Sequence, residues 1–223
     1  MRNFKDTPRA YSPEELAKDL LEHLKKPRIW YGHKAFDEIA GPLEGGKWIY
    51  AVVYPPVDFL SLTVKLAGSV ALQGGVVLIV NCSIPVEKTY EKFLTFFTHE
   101  ELKKVPVYFS PINCIEELKD IATHFRNLKL VIVDDYQELD TKCTFSDVNT
   151  RIRHINMTIK QTSIRYCFDI ITFDTPKKIL HDYIYQDADI ILGLHRLTYP
   201  LQNMVEVVKN RYGPDHLKIV CNL

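Results

Sequence analysis

At 223 residues the chain is long enough for one generous domain, or a domain with an arm, and for a substantial buried core. Its hydrophobic fraction of 46% is ordinary for a globular protein, and 28 basic residues balance 28 acidic ones. A formal net charge of zero excludes a global field as the source of tight nucleic-acid binding and leaves only local basic patches.

The first dozen residues are polar and read as an arm that a partner would have to order. Ser12-Pro13-Glu14-Glu15 then starts a helix: serine caps, proline fits the first helical position, and the glutamate three residues on closes a capping box. Leu16, Leu20, Leu21 and Leu24 fall on one face of this helix, which ends before Pro27. Phe36, Ile39 and Leu43 predict a short helical turn leading to Gly45-Gly46. From there strands alternate with helices. Residues 48–54, 76–80, 105–109, 128–133, 168–173, 190–194, 205–209 and 217–220 read as strands, and 60–72, 86–98 and 115–126 as helices. Val148, Ile152, Ile155 and Ile159 mark a long amphipathic helix. The fold class is therefore α/β: a mainly parallel sheet sandwiched by helices, with antiparallel strands at one edge.

Five scattered cysteines, Cys82, Cys114, Cys143, Cys167 and Cys221, form no C-x-x-C pair and suit single thiols in a reducing cytoplasm. The eight histidines show no metal-ligand spacing, so no metal is expected. No apolar stretch approaches about 20 residues and no basic start precedes an apolar run, so neither a membrane span nor a signal peptide is expected.

Leu130-Val131-Ile132-Val133-Asp134 reads as a Walker B-like strand, with the acid emerging where ligands of α/β folds bind. Its neighbours sharpen that reading. Gly32-His33-Lys34-Ala35-Phe36-Asp37-Glu38-Ile39-Ala40-Gly41, Gly45-Gly46-Lys47, Asp134-Asp135-Tyr136-Gln137, Gln186-Asp187-Ala188-Asp189-Ile190-Ile191 with Leu194-His195-Arg196, and Val207-Val208-Lys209-Asn210-Arg211-Tyr212-Gly213-Pro214 occur in that order. Together they resemble the RecA-fold motor domain of DnaB-type replicative helicases, with a weaker likeness to the bacterial RadA branch. The likeness spans 29–223 and leaves 1–28 as an arm and oligomerisation helix.

The departures matter as much as the matches. A phosphate loop needs glycines whose backbone N–H groups wrap the phosphates, a lysine for the β- and γ-phosphates, and a Ser or Thr for magnesium. Here the two glycine positions fall on Val53 and Asp58, the lysine on Phe59 and the hydroxyl residue on Leu60. Asp58 brings negative charge to the phosphate position and suits an N-cap of the following helix. Aligned on Pro85, the glutamate that polarises water falls on Ser83. The γ-phosphate sensor falls on Thr175, within Phe173-Asp174-Thr175-Pro176. Asp134 and Gln137 remain, and Asp134 without a nucleotide reads as an end-of-strand capping residue.

The resemblance implies that Lys209 and Arg211 sit on a hairpin at a subunit boundary, where they would act in trans on a neighbour's nucleotide. A hairpin retained only for folding stays open as the other reading. It also implies that the leucine-bearing helix docks on an adjacent subunit, beside the plainer reading that it closes its own core. Lys142, Arg151, Arg153 and Lys160, with His154 among them, are the candidates for sequence-independent DNA contact. Tyr31, Tyr50, Tyr54 and Tyr136 are expected to pack rather than stack on bases.

These readings converge on a catalytically degenerate DnaB-like protein, a pseudo-ATPase with no catalytic residue expected in cis. Its partners would be itself or an active helicase or recombinase subunit, in DNA replication or repair. Its setting would be the cytoplasm, or a host's cytoplasm if phage- or plasmid-encoded. No cofactor is expected; ATP and magnesium enter only if the altered loop still binds nucleotide. Two alternatives stay open: a divergent ATP-dependent DNA helicase, and a self-assembling structural protein that ignores nucleotide.

Overall fold

The computed structural model describes residues 12–24, 27–176, 182–198 and 202–221. The polar arm and the side chains of Leu20, Leu21 and Leu24 lie outside that description.

Helix α1 spans Pro13–Leu24 and opens with the predicted capping box. The Glu15 amide donates to Ser12 Oγ at 3.2 Å, and the Ser12 amide donates to the Glu15 carboxylate at 3.0 Å. Leu16 on this helix is 54% exposed, so it closes no core within the chain. Helix α2 (Lys34–Ala40) buries Phe36 and Ile39. The chain then turns through Gly45 and Gly46, both at positive φ. A Cβ on Gly45 would lie 2.6 Å from the Cys167 backbone, so only glycine fits that approach.

Strand β1 (Trp48–Val53) and helix α3 (Phe59–Leu72) follow, then β2 (Val76–Val80), α4 (Val86–Leu94), α5 (His99–Leu102) and β3 (Val107–Ser110). Helix α6 (Ile115–Ala122), β4 (Leu128–Val133), a 3-10 turn (Tyr136–Glu138) and the long α7 (Val148–Tyr166) lead to β5 (Asp169–Asp174). Helix α8 (Asp182–Asp187), β6 (Ile190–Arg196), β7 (Asn203–Asn210) and β8 (Lys218–Cys221) complete the order.

The sheet runs β3-β2-β4-β5-β1-β6-β7-β8. Strands β3 to β6 in that order are parallel, and β7 and β8 add antiparallel at one edge, as expected. Alternation along β1 sends Ile49, Ala51 and Val53 into a core shared with α2 and α3. Trp48, Tyr50 and Val52 enter the core on the other face, with Ile155 and Ile159 of α7. Burial on both faces is why the central strands read as unbroken apolar runs. The same order brings the C-terminal ends of β1, β4 and β5 side by side, so the residues that follow each of them share one edge.

Three boundaries differ from the expectation. The helix predicted over 86–98 is two helices, because Thr98 caps a new one: its Oγ1 accepts from the Glu101 amide at 3.2 Å, and the Glu101 carboxylate accepts from the Thr98 amide at 2.7 Å. Helix α6 stops at Ala122, short of 126. Helix α8 has no counterpart in the periodicity, since its six residues bury only Ile184. Among the described residues no helix is long and apolar enough to cross a membrane.

Candidate functional site

Strand β1 stays extended through Val53, which is buried and paired with Leu194 of β6. The first glycine position of a phosphate loop is therefore an ordinary strand residue. The Tyr54 amide donates to the Leu194 carbonyl at 2.9 Å, and the Tyr54 ring stacks on His195 with centroids 4.3 Å apart. A cis Pro55–Pro56 peptide and a buried Val57 bring the chain to Asp58.

Asp58 is the N-cap of α3, as anticipated. Its carboxylate accepts from the Ser61 amide at 3.0 Å, from Ser61 Oγ at 2.7 Å and from Lys92 Nζ of α4 at 2.8 Å. Burial would raise its pKa, but the bonds from Lys92 and Ser61 outweigh that and hold it below the usual value. The positive end of the helix dipole thus already carries an anion, and the nearby lysine is already paired. Lys92 gave no sequence signal, because its role depends on α4 lying across α3. Phe59, at the lysine position, leans on Phe173 with ring centroids 5.5 Å apart, and Leu60 is half-buried.

Asp134, just beyond β4, accepts three backbone amides from the turn after β2: Cys82 at 2.7 Å, Ser83 at 3.2 Å and Ile84 at 2.8 Å. It caps a neighbouring loop. Burial raises its pKa, and those three bonds oppose the rise. Ser83 contributes this amide and is otherwise exposed. Gln137 donates to Asp174 at 2.5 Å and to the Thr175 carbonyl at 3.4 Å, so the aspartate-tyrosine-x-glutamine turn does meet the sensor position. Neither Ser83 nor Thr175 offers a group that takes a proton from water near neutral pH.

Sequence reasoning missed Asp174 as a centre. It accepts from the Tyr50 hydroxyl as well as from Gln137. Burial, reinforced by the charge of Asp135, raises its pKa from 3.8 to about 6 against the lowering effect of those two donors. Its folded pKa lies above its unfolded one, so its stabilising contribution is full below about pH 3.8 and is lost as pH rises through about 6. Asp174→Asn is therefore expected to become increasingly stabilising, relative to the native chain, between pH 4 and 7. Urea midpoints measured at several pH values across that window test this; a difference that stays flat would reject it.

Lys209 and Arg211 lie at the opposite edge of the sheet, because β7 runs antiparallel to β6. Lys209 Nζ donates to the carbonyls of Tyr185 at 2.5 Å and Ala188 at 2.6 Å, closing the end of α8. Burial, then the charge of Arg211, pushes its pKa down. Arg211 Nη1 donates to Asp189 at 2.8 Å and Nη2 to the Gln186 carbonyl at 2.9 Å. Asp189 is fully buried and also accepts from the Trp48 amide at 2.8 Å and from Lys160 Nζ. Both finger candidates are thus engaged within their own chain. A second buried acid, Asp169, organises the same edge: it accepts from Tyr31 Oη at 2.8 Å and from the Gly45 and Lys47 amides at 3.1 and 3.0 Å.

The basic candidates do not form one stripe. Lys160 reaches Asp189 and the Gly46 carbonyl, the latter at 2.6 Å, so it neutralises the interior and is a correction to the DNA-contact set. Lys142 pairs with Glu117 at 3.0 Å, Arg151 pairs with Asp140 at 3.1 Å, and Arg153 sits 4.1 Å from the Tyr183 ring centroid. Tyr31, Tyr50 and Tyr136 are buried as expected, while Tyr54 is 39% exposed.

Strand order, the cap after β1 and the acid after β4 define a RecA-like α/β domain. Comparison with solved structures places the fold more closely. One similar structure is that of a DnaB-like replicative helicase, determined with its interactions with primase: TM-score 0.76, 13% identity, 93% of this chain covered. The chain spans 65% of that protein's length. Another is an isolated helicase-type ATPase domain: TM-score 0.77, 13% identity, covering 96% of this chain and all of that one. A third is the flagellar accessory protein FlaH from Methanocaldococcus jannaschii: TM-score 0.66, 16% identity, covering 87% of this chain and 93% of that one. No family model matches the sequence, and no curated protein matches it.

Proposed function

We propose that this chain is a DnaB-like RecA-fold protein that has given up nucleotide binding and works by association with RecA-fold subunits, its own copies or an active helicase or recombinase. The observation that carries this reading is the Asp58 carboxylate. It occupies the N-terminus of α3, where a phosphate would sit, and it is satisfied there by Ser61 and Lys92. A nucleotide would have to displace an internal anion that already has its partners, in a loop without glycine. Asp134 supports the same reading, since its carboxylate is taken up by three amides of the turn after β2.

Association draws support from α1, whose Leu16 projects an uncovered side chain, as a docking helix would. Arg211 supports a trans role less directly. It is held near the surface with 46% of its side chain exposed, but a neighbour's phosphate would compete with Asp189 for its guanidinium. A DNA role would rest on Lys142, Arg151 and Arg153 alone.

Titrating the purified chain with a fluorescent ATP analogue and magnesium, to millimolar concentration, tests the central claim. No saturable binding is expected. Saturable, magnesium-dependent binding would overturn the reading in favour of a divergent ATP-dependent helicase.

A further inference from the structure

Away from the phosphate edge, three side chains with metal-binding atoms converge from distant parts of the chain. Glu116 lies in the first turn of α6, Cys143 in the connection between the 3-10 turn and α7, and His154 on α7. Their ligand atoms all lie within 4.8 Å of one another. Glu116 Oε1 is 3.2 Å from His154 Nε2 and 3.8 Å from Cys143 Sγ. An ion with bonds of about 2.0 Å to nitrogen or oxygen and about 2.3 Å to sulfur holds tetrahedral ligands roughly 3.3–3.8 Å apart. Both distances are close to that spacing before any side chain moves.

The surroundings suit such a site. Thr141 Oγ1 donates to Glu116 Oε1 at 2.6 Å and the Lys142 amide donates to Oε2 at 3.1 Å, which fixes the carboxylate's direction in the manner of outer-shell groups. Cys114, at the N-cap of α6, adds its thiol to Oε2 at 3.0 Å from the far side. The Phe145 ring lies 5.1 Å from the His154 ring and covers it. One oxygen, Glu116 Oε1, is thus the meeting point of a hydroxyl, an imidazole and a thiol, a density of donors that a plain ion pair does not need.

We propose that Glu116, Cys143 and His154 bind a zinc-class divalent cation. Thiolate and imidazole select a borderline-soft ion, whereas magnesium and calcium require oxygen donors throughout. Cys143 is exposed, which leaves the fourth position facing solvent. Cys114 orients Glu116 and is not a ligand. The ion would fasten the connection over 140–147 to both α6 and α7, and with it the backbone that carries Lys142. Loading releases the Cys143 thiol proton, so affinity rises with pH.

The test uses the full chain, first stripped with chelator. Zinc is titrated against a chromophoric competitor, and cobalt is added separately to read thiolate-to-metal charge transfer. Expected is one ion per chain with a sulfur charge-transfer band. Affinity is expected to fall by more than about a hundredfold in Cys143→Ser and in His154→Ala, beyond the range for outer-shell groups. Cys114→Ser should keep the ion and the band. Cys143 is on the surface, so its serine variant should stay folded, and circular dichroism confirms that. Absence of stoichiometric binding would overturn the site. So would binding that survives in the Cys143→Ser/His154→Ala double variant, or loss of binding in Cys114→Ser with retention in Cys143→Ser.

Discussion

Asp189→Ala is expected to remove about 3–5 kcal/mol of folding stability, the range seen when one partner of a buried ion pair is deleted. The residue is fully buried and carries three kinds of donor at once: the Trp48 amide, the Lys160 ammonium and the Arg211 guanidinium. Alanine would leave the Trp48 amide without its partner, a loss worth about 1–3 kcal/mol by itself. It would also leave two cations facing each other across the gap. Arg211→Ala is expected to cost less, since Lys160 still neutralises Asp189 and the arginine is half exposed. Guanidinium denaturation of both variants decides the matter; a loss below about 1 kcal/mol for Asp189→Ala would show that the cluster is not what holds this edge. The same contacts correct the expectation that Arg211→Ala leaves the fold untouched. A drop in a partner's ATPase caused by that variant would mix weakened folding with a lost finger. Arg211→Lys is the cleaner probe, because it keeps a cation on Asp189 but removes the planar fork that a phosphate would grip.

How much of this was legible in the sequence depended on whether the signal was local. The strands at 76–80 and 128–133 announced themselves because both faces are covered, and a doubly buried strand leaves an unbroken apolar run. Asp58 was legible as a cap because a cap is defined by its own following turn. The partner that makes it more than a cap, Lys92, lies 34 residues away and shows only when α4 crosses α3. Asp169 and Asp189 were invisible as hubs for the same reason. Each looked like a polar residue preceding a strand, and only the sheet order brings Tyr31 and Lys47 to the first and Lys160 and Arg211 to the second. The error over Lys160 has a geometric cause as well. Grouping it with Arg151 and Arg153 ignored the length of α7, whose 19 residues span roughly 28 Å and carry its two ends to opposite edges of the sheet. Spacing rules for metal ligands failed in the same way, since they find ligands on one helix or loop. Glu116, Cys143 and His154 meet from three separate segments.

Rebuilding the phosphate loop, with Asp58→Gly, Phe59→Lys and Leu60→Thr in one chain, is expected to leave ATP turnover undetectable. Three features outside the loop stand in the way. Val53 is locked in β1 opposite Leu194, so the loop cannot begin its turn where a glycine would let it. Ser83 offers no carboxylate to polarise water, and a missing general base alone costs about 100- to 10,000-fold in rate. The Thr175 position carries no amide to read a γ-phosphate, and the adjacent Gln137 is held by Asp174. The rebuilt chain should also be less stable, by about 1 kcal/mol for the lost cap and more for the lost contact of Phe59 with Phe173. Adding Ser83→Glu is expected to matter more than any change within the loop. Its backbone amide still reaches Asp134, so the turn after β2 keeps its shape while gaining a carboxylate at the edge where water would attack. Phosphate release measured with and without Ser83→Glu separates the two contributions. Robust turnover in the loop variant alone would mean that the rest of the site had been competent throughout, and that only Asp58 and its neighbours had silenced it.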